Sequence, residues 1–233
     1  MYIVSRVRYA ASLTALACVV CAPAAQAQAV VYNQPTDLKG GLPSQNDSNK
    51  FGNYSTVYDN FHLSSTANIG RVTWAGDYFN GTPSTITAFT LKFYGDNAGQ
   101  PGSLLQTASI AGNASETAAG TDTVPLPFFT YSAALPTAFA ASGQTQYWMS
   151  IVADLIYPPQ WEWETATGGD HAAYQLFNGV ASTPSNDFTF SLVSQSDAAT
   201  ITTPEPTNIM LLVCLGLTGA ICLRRRKSAP RIG

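Results

Sequence analysis

Cysteine is missing from the middle of this 233-residue chain: Cys18, Cys21, Cys214 and Cys222 all lie in its terminal segments. Residues 30–203 therefore hold no disulfide, no thiol nucleophile and no cysteine-based zinc site, and their stability must come from a packed core. Basic residues are nearly as scarce there. Lys39, Lys50, Arg71 and Lys92 stand against thirteen of the chain's 14 acids, a net charge near −9 that the whole-chain value of −3 conceals. Such a surplus disfavours nucleic acid and anionic surfaces as partners and leaves carboxylates available to a divalent cation. The chain has two histidines, His62 and His171, and it lacks both a Gly-x-Ser-x-Gly elbow and a His-Glu-x-x-His zinc motif. Both histidines read as non-catalytic.

Long helical periodicity is also lacking between the termini. Short segments alternate with a period of two instead. Phe89, Leu91 and Phe93 face opposite Thr90, Lys92 and Tyr94; Tyr147, Met149 and Ile151 alternate with Trp148 and Ser150; Phe188, Phe190 and Leu192 alternate with Thr189 and Ser191; Val72 and Trp74 bracket Thr73. Turn chemistry separates these runs at Asn80-Gly81-Thr82-Pro83, Gly95 to Gly102, Gly168-Gly169-Asp170 and Asn178-Gly179. The pattern predicts an all-β chain, a single jelly-roll-like β-sandwich over residues 30–193. About 170 residues suffice for one core. The segment Gln34 to Asn53 reads as a polar linker on which Leu38 and Leu42 can dock, and residues 194–203 read as an extended stalk.

The two ends carry sorting features. Arg6 and Arg8 precede the apolar segment Ala10 to Val20, and Ala-x-Ala sites follow at Ala25-Gln26-Ala27 and Ala27-Gln28-Ala29, so residues 1–29 read as a signal peptide. Cys18 and Cys21 keep a lipoprotein signal as the alternative. At the other end, Pro204-Glu205-Pro206 leads into the uncharged run Ile209 to Leu223, which stops at Arg224-Arg225-Arg226-Lys227. Fifteen residues are short against the ~17–20 that a spanning helix needs, but flanking cations can snorkel, and they place the tail's end on the cytoplasmic side. A plain C-terminal anchor is the simpler alternative. The order of the three parts over residues 204–233 resembles the PEP-CTERM sorting signal. That resemblance implies a Gram-negative bacterial surface protein, export by signal peptidase, membrane insertion during sorting, handling by an exosortase-type membrane protease, and a role in the extracellular polysaccharide matrix. In the middle of the chain, Tyr58-Asp59-Asn60-Phe61, Ile69-x-x-Val72-x-Trp74-x-Gly76, Phe89-x-x-x-Phe93-Tyr94-Gly95-Asp96 and Gly143-x-x-x-Tyr147-Trp148-x-Ser150-Ile151 resemble a recurring secreted bacterial sandwich module.

Two groups of residues are candidates for chemistry. Trp161-Glu162-Trp163-Glu164 alternates, so both indoles share one strand face and both carboxylates the other. Exposed indoles would stack on sugar rings, as in a carbohydrate-binding module; the competing reading buries them in the core and leaves Glu162 and Glu164 in solvent. A glycan-active enzyme would need two carboxylates flanking a cleft, whereas Glu162 and Glu164 point the same way, roughly 7 Å apart by strand geometry. Asp59, Asp77 and Asp96 sit at turn-like places beside Asn60, Tyr78 and Asn97 and are calcium candidates, though without EF-hand spacing. The expectation is a non-enzymatic exported protein with no cofactor other than calcium.

Overall fold

The computed structural model describes residues 28–195 apart from Gly81, and no helix occurs among them. The strands begin with β1 (Val30–Gln34), β2 (Thr36–Pro43), β3 (Gln45–Asp47), β4 (Gly52–Asn53), β5 (Ser55–His62) and β6 (Ala67–Phe79). They continue with β7 (Ala88–Asp96), β8 (Pro101–Ala111), β9 (Thr117–Thr121), β10 (Pro127–Ala141) and β11 (Gln146–Leu155). The last five are β12 (Gln160–Ala166), β13 (Ala173–Phe177), β14 (Val180–Ser182), β15 (Asp187–Phe188) and β16 (Phe190–Ser194).

They form two sheets with a common core. In the first, the long β6 is central: β10 pairs along one edge, while β16 and then β12 share the other. β1 extends β16, β9 extends β10, and β2 and β15 pair with β12. In the second, β11 lies between β5 and β7; β13 and β14 continue beyond β5, and β8 continues beyond β7. β3 adds in parallel to β11 and pairs with β4. The arrangement is sandwich-like and all-β.

The alternating apolar residues face inward as their period requires. Phe89, Leu91 and Phe93 are fully buried, and so are Met149, Ile151, Val72 and Leu192. Aromatic rings fill much of the space between the sheets. Phe93 stacks on Phe139 with centroids 4.3 Å apart, Trp74 stacks on Tyr131 at 5.6 Å, and Phe89 meets Trp161 edge-on at 5.3 Å. A β-carbon at Gly76 would come within 2.4 Å of the Trp161 ring, so glycine at this strand position lets the indole lie against the β6 backbone.

The segment from Gln34 to Asn53 corrects the linker reading. It supplies the end of β1 and all of β2, β3 and β4. Its polar side chains act as internal hydrogen-bond partners: Ser44 Oγ donates to the Ile151 carbonyl at 2.5 Å, and Gln45 Oε1 accepts from Trp161 N–H at 2.7 Å. A composition typical of loops here satisfies buried backbone groups. The expected signal peptide (1–29, of which only Gln28 and Ala29 are described), most of the expected stalk (from Ser196) and the whole expected sorting tail (204–233) lie outside the described residues.

Candidate functional site

β12 holds the Trp-Glu-Trp-Glu sequence in the extended form that alternation predicts. Trp161 and Trp163 point into the core and are both 0 % exposed. Trp161 Nε1 donates to Tyr131 Oη at 3.1 Å and Trp163 Nε1 to the Thr189 carbonyl at 2.7 Å, so each indole is satisfied internally. They offer no face to a sugar, and the stacking platform at these two residues is corrected to a core pair.

The other face of the strand departs from expectation. Glu162 and Glu164 are not in solvent: Glu162 is 8 % exposed and Glu164 0 %. Glu162 sits opposite Asp77 across the β12–β6 pairing, and Asp77 is also 0 % exposed. The segment between β9 and β10, Asp122 to Leu126, is tied to β2: Thr123 donates to the Leu38 carbonyl through both its N–H and its hydroxyl, at 2.8 Å each. It brings in Asp122. Asp122 Oδ1 accepts from the N–H groups of Val124 and Leu126 at 3.0 and 2.8 Å, which fixes the carboxylate and leaves Oδ2 free.

Asp77, Asp122 and Glu164 each present a carboxylate oxygen within 4.8 Å of the other two. Both oxygens of Asp77, both of Glu164 and Oδ2 of Asp122 are buried with no donor other than a carboxyl proton that Asp77 and Glu164 can share. Burial first, then repulsion from Asp122, pushes the Asp77 carboxyl up to about 7. Burial, with Asp77 the leading neighbour, pushes Glu162 and Glu164 up to about 8. No lysine or arginine answers this charge among the described residues; Lys39 pairs at 3.4 Å with Asp37 and is largely exposed. The arrangement can hold a hard cation or share protons. It cannot act as a retaining or inverting glycosidase pair, because a sugar has no access to carboxylates this buried.

The other calcium candidates are elsewhere and already satisfied. Asp59 accepts from Phe188 N–H at 2.6 Å, Asn60 N–H at 2.8 Å and Gln34 Nε2 at 2.8 Å. Asp96 caps the turn at Gly99 N–H and accepts from Trp148 Nε1 at 2.8 Å. The structure thus retains Asp77 from the three, adds Glu164 from the second group, and brings in Asp122, which has no local signature. His62 and His171 are exposed, and His171 Nδ1 lies 3.5 Å from Asp187.

A second feature escaped sequence reasoning. Phe51, Tyr54, Tyr157 and Phe177 meet edge-to-face at the surface, with centroids 5.7 to 6.4 Å apart. With Gln160 and Asn178 they line a cavity of about 170 Å³. Phe51 is 51 % exposed, and Lys50 Nζ lies 5.0 Å from its ring centroid. These residues come from three separate parts of the chain, so no local pattern marks them.

Residues 30–209 match the model of a family described as a domain of unknown function, DUF7901. No curated protein matches the chain. The matched stretch takes in the whole sandwich and most of the chain, which therefore belongs to the DUF7901 family.

Proposed function

We propose that this protein is an exported, non-enzymatic component of the envelope or extracellular matrix of a Gram-negative bacterium, delivered by exosortase-type sorting. The carrying observation is the order of Pro204-Glu205-Pro206, the apolar run Ile209 to Leu223 and the Arg224 to Lys227 cluster, with a signal-peptide pattern at the opposite end. A cysteine-free sandwich with a large acid surplus suits a soluble domain outside the cell. A jelly-roll-like course for the sandwich is supported by the chain's passing from one sheet to the other at most of its longer connections. Signal peptidase and an exosortase-type protease are its processing partners, with a membrane engaged only during sorting. The test is the intact mass of protein recovered from the producing cells. Mature protein should lack Ile209 to Leu223, and replacing Pro204, Glu205 and Pro206 with alanine should leave an unprocessed membrane-bound form. Recovery of wild-type protein with the tail still attached would contradict the sorting reading.

Carbohydrate binding is the second reading, at a different place from Trp161 and Trp163. The exposed cluster of Phe51, Tyr54, Tyr157 and Phe177 supports it, because sugars pack on aromatic faces while amides such as Gln160 and Asn178 meet hydroxyls. Phe51→Ala should abolish retention on the producing organism's exopolysaccharide without changing the thermal melt. Unchanged retention would remove this reading and leave the first intact.

A further inference from the structure

Five carboxylate oxygens on Asp77, Asp122 and Glu164 are buried, and when all three groups are ionised none has a donor. Each carboxylate is held in place by structure that has no need of its charge. Asp77 is fixed by β6, paired on both edges near this residue: Phe128 lies opposite it on β10 and Glu162 opposite it on β12. Glu164 is fixed by β12, where Gly41 of β2 sits opposite it. Asp122 is fixed by its own turn through Oδ1, which leaves Oδ2 free for the group. Gly40 has a positive φ of 89°, and a β-carbon there would meet Val124 Cγ2 at 3.0 Å; glycine therefore lets β2 approach the segment that carries Asp122. Leaving buried carboxylates unpaired is costly, and the usual remedies are a cation or an added proton.

We propose that Asp77, Asp122 and Glu164 form a calcium site, with Glu162 as a fourth carboxylate at its margin. The donor set is all oxygen, which suits a hard cation and excludes the nitrogen and sulfur preferences of zinc and copper. Calcium sits about 2.3–2.6 Å from its ligands, so ligand oxygens on opposite sides of the ion are roughly 4.8 Å apart. The mutual spacing of these three oxygens falls within that limit, at 4.8 Å or less. The five free oxygens approach the six to eight that calcium takes, with room in its flexible geometry for a bidentate carboxylate or water. Magnesium demands a tighter octahedron at about 2.0–2.1 Å and holds its water strongly, which fits a dry cluster of carboxylates less well. The ion would join β6, β12 and the Asp122–Leu126 segment, three parts of the chain far apart in sequence. It would thereby stabilise the outer face of the first sheet. Surface modules that use calcium outside the cell bind it with dissociation constants on the order of 10⁻⁴–10⁻³ M.

The test uses the full-length protein, stripped with EGTA and dialysed at pH 7.5. Calcium chloride should raise the melting temperature by about 5 °C or more at roughly a hundred times the dissociation constant. Calorimetric titration should show one site. Asp122→Asn should lower the affinity at least ten-fold and leave the metal-free protein folded and no less stable than wild type, because Oδ1 can still cap its turn and like-charge repulsion falls. Glu164→Gln should lower the affinity as well. Absence of both a melting shift and binding heat at about 10 mM calcium would overturn the proposal. A wild-type response from Asp122→Asn would place the ion elsewhere and overturn it too. A response to magnesium chloride but not to calcium chloride would overturn the calcium assignment.

Discussion

Two groups of buried acids sit in this sandwich, and they are built in opposite ways. Around Asp59, every oxygen has a donor: Asn60 N–H serves one, and Phe188 N–H and Gln34 Nε2 serve the other. Its neighbour Asp187 accepts from His171 N–H through both oxygens, at 3.0 and 3.1 Å. Asp47 shows the same construction near β4: burial works to raise its carboxyl, but N–H groups of Phe51, Asn49, Tyr157 and Lys50 outweigh it and hold the carboxyl below its usual range. Around Asp77 the backbone N–H groups are committed to strand pairing, and both carboxylate oxygens are left bare. A buried acid ringed by N–H groups is a structural hydrogen-bond acceptor. One ringed by other acids needs something from outside the chain.

The largest effect expected from this contrast is at Asp59. Asp59→Ala would leave the Phe188 and Asn60 N–H groups and the Gln34 amide buried without acceptors. The cost should be about 3–5 kcal/mol, read from urea unfolding. A cost below about 1 kcal/mol would mean that those bonds contribute little and would remove the contrast.

Asp77→Asn should act in the other direction when metal is withheld. It removes one charge from a cluster in which Asp77 faces Asp122, Glu162 and Glu164, with Asp37 and its partner Lys39 beyond. At pH 8 the EGTA-treated variant should be about 1–2 kcal/mol more stable than wild type, because like-charge repulsion falls. The pH dependence follows from the same groups. Asp77 at about 7, and Glu162 and Glu164 at about 8, stand above their unfolded values, so the folded state binds more protons between roughly pH 5 and 8. Metal-free stability should therefore fall as pH rises from about 5 to 8 and level off beyond. Burial raises Asp59 and Asp187 in the same direction. The double variant Asp77→Asn, Glu164→Gln isolates the cluster's share: its melting temperature should fall less between pH 6 and pH 8.5 than that of wild type. Identical pH profiles would mean that these carboxylates do not couple as described.

The smallest effect is expected at His171. Its side chain is 72 % exposed beside Asp187, and the contact is made by a group open to solvent. His171→Ala keeps the backbone N–H that Asp187 uses, so the loss should be under about 1 kcal/mol by thermal melt at pH 6. A larger loss would shift weight from the backbone donors to the imidazole.

Much of the sandwich was legible because two-residue alternation is a local property. Phe89, Leu91 and Phe93 announce their face in three consecutive odd positions, and Trp161 and Trp163 do the same. The polar stretch from Gln34 to Asn53 misled because its composition is that of a loop. Its side chains are buried for their hydrogen bonds, which cannot be read without the partners Ile151 and Trp161. The outward face of β12 was misread for a related reason. An outer sheet face is normally wet, but here the Asp122–Leu126 segment is fastened to β2, and Glu164 lies buried on that face. Asp122 itself sits in an ordinary polar turn some forty residues from Glu162. The acid surplus hinted at a cation, and only the tertiary fold identifies which acids converge.

The most direct test of the contrast is terbium luminescence. Tb³⁺ takes oxygen ligands much as calcium does, and the Trp163 indole, next in sequence to Glu162 and Glu164, can sensitise its emission. The account predicts indole-excited emission that saturates at one equivalent, is displaced by calcium, is lost in Asp77→Asn and persists in Asp59→Asn. Emission that fails to saturate, or that disappears with Asp59→Asn while surviving Asp77→Asn, would contradict it.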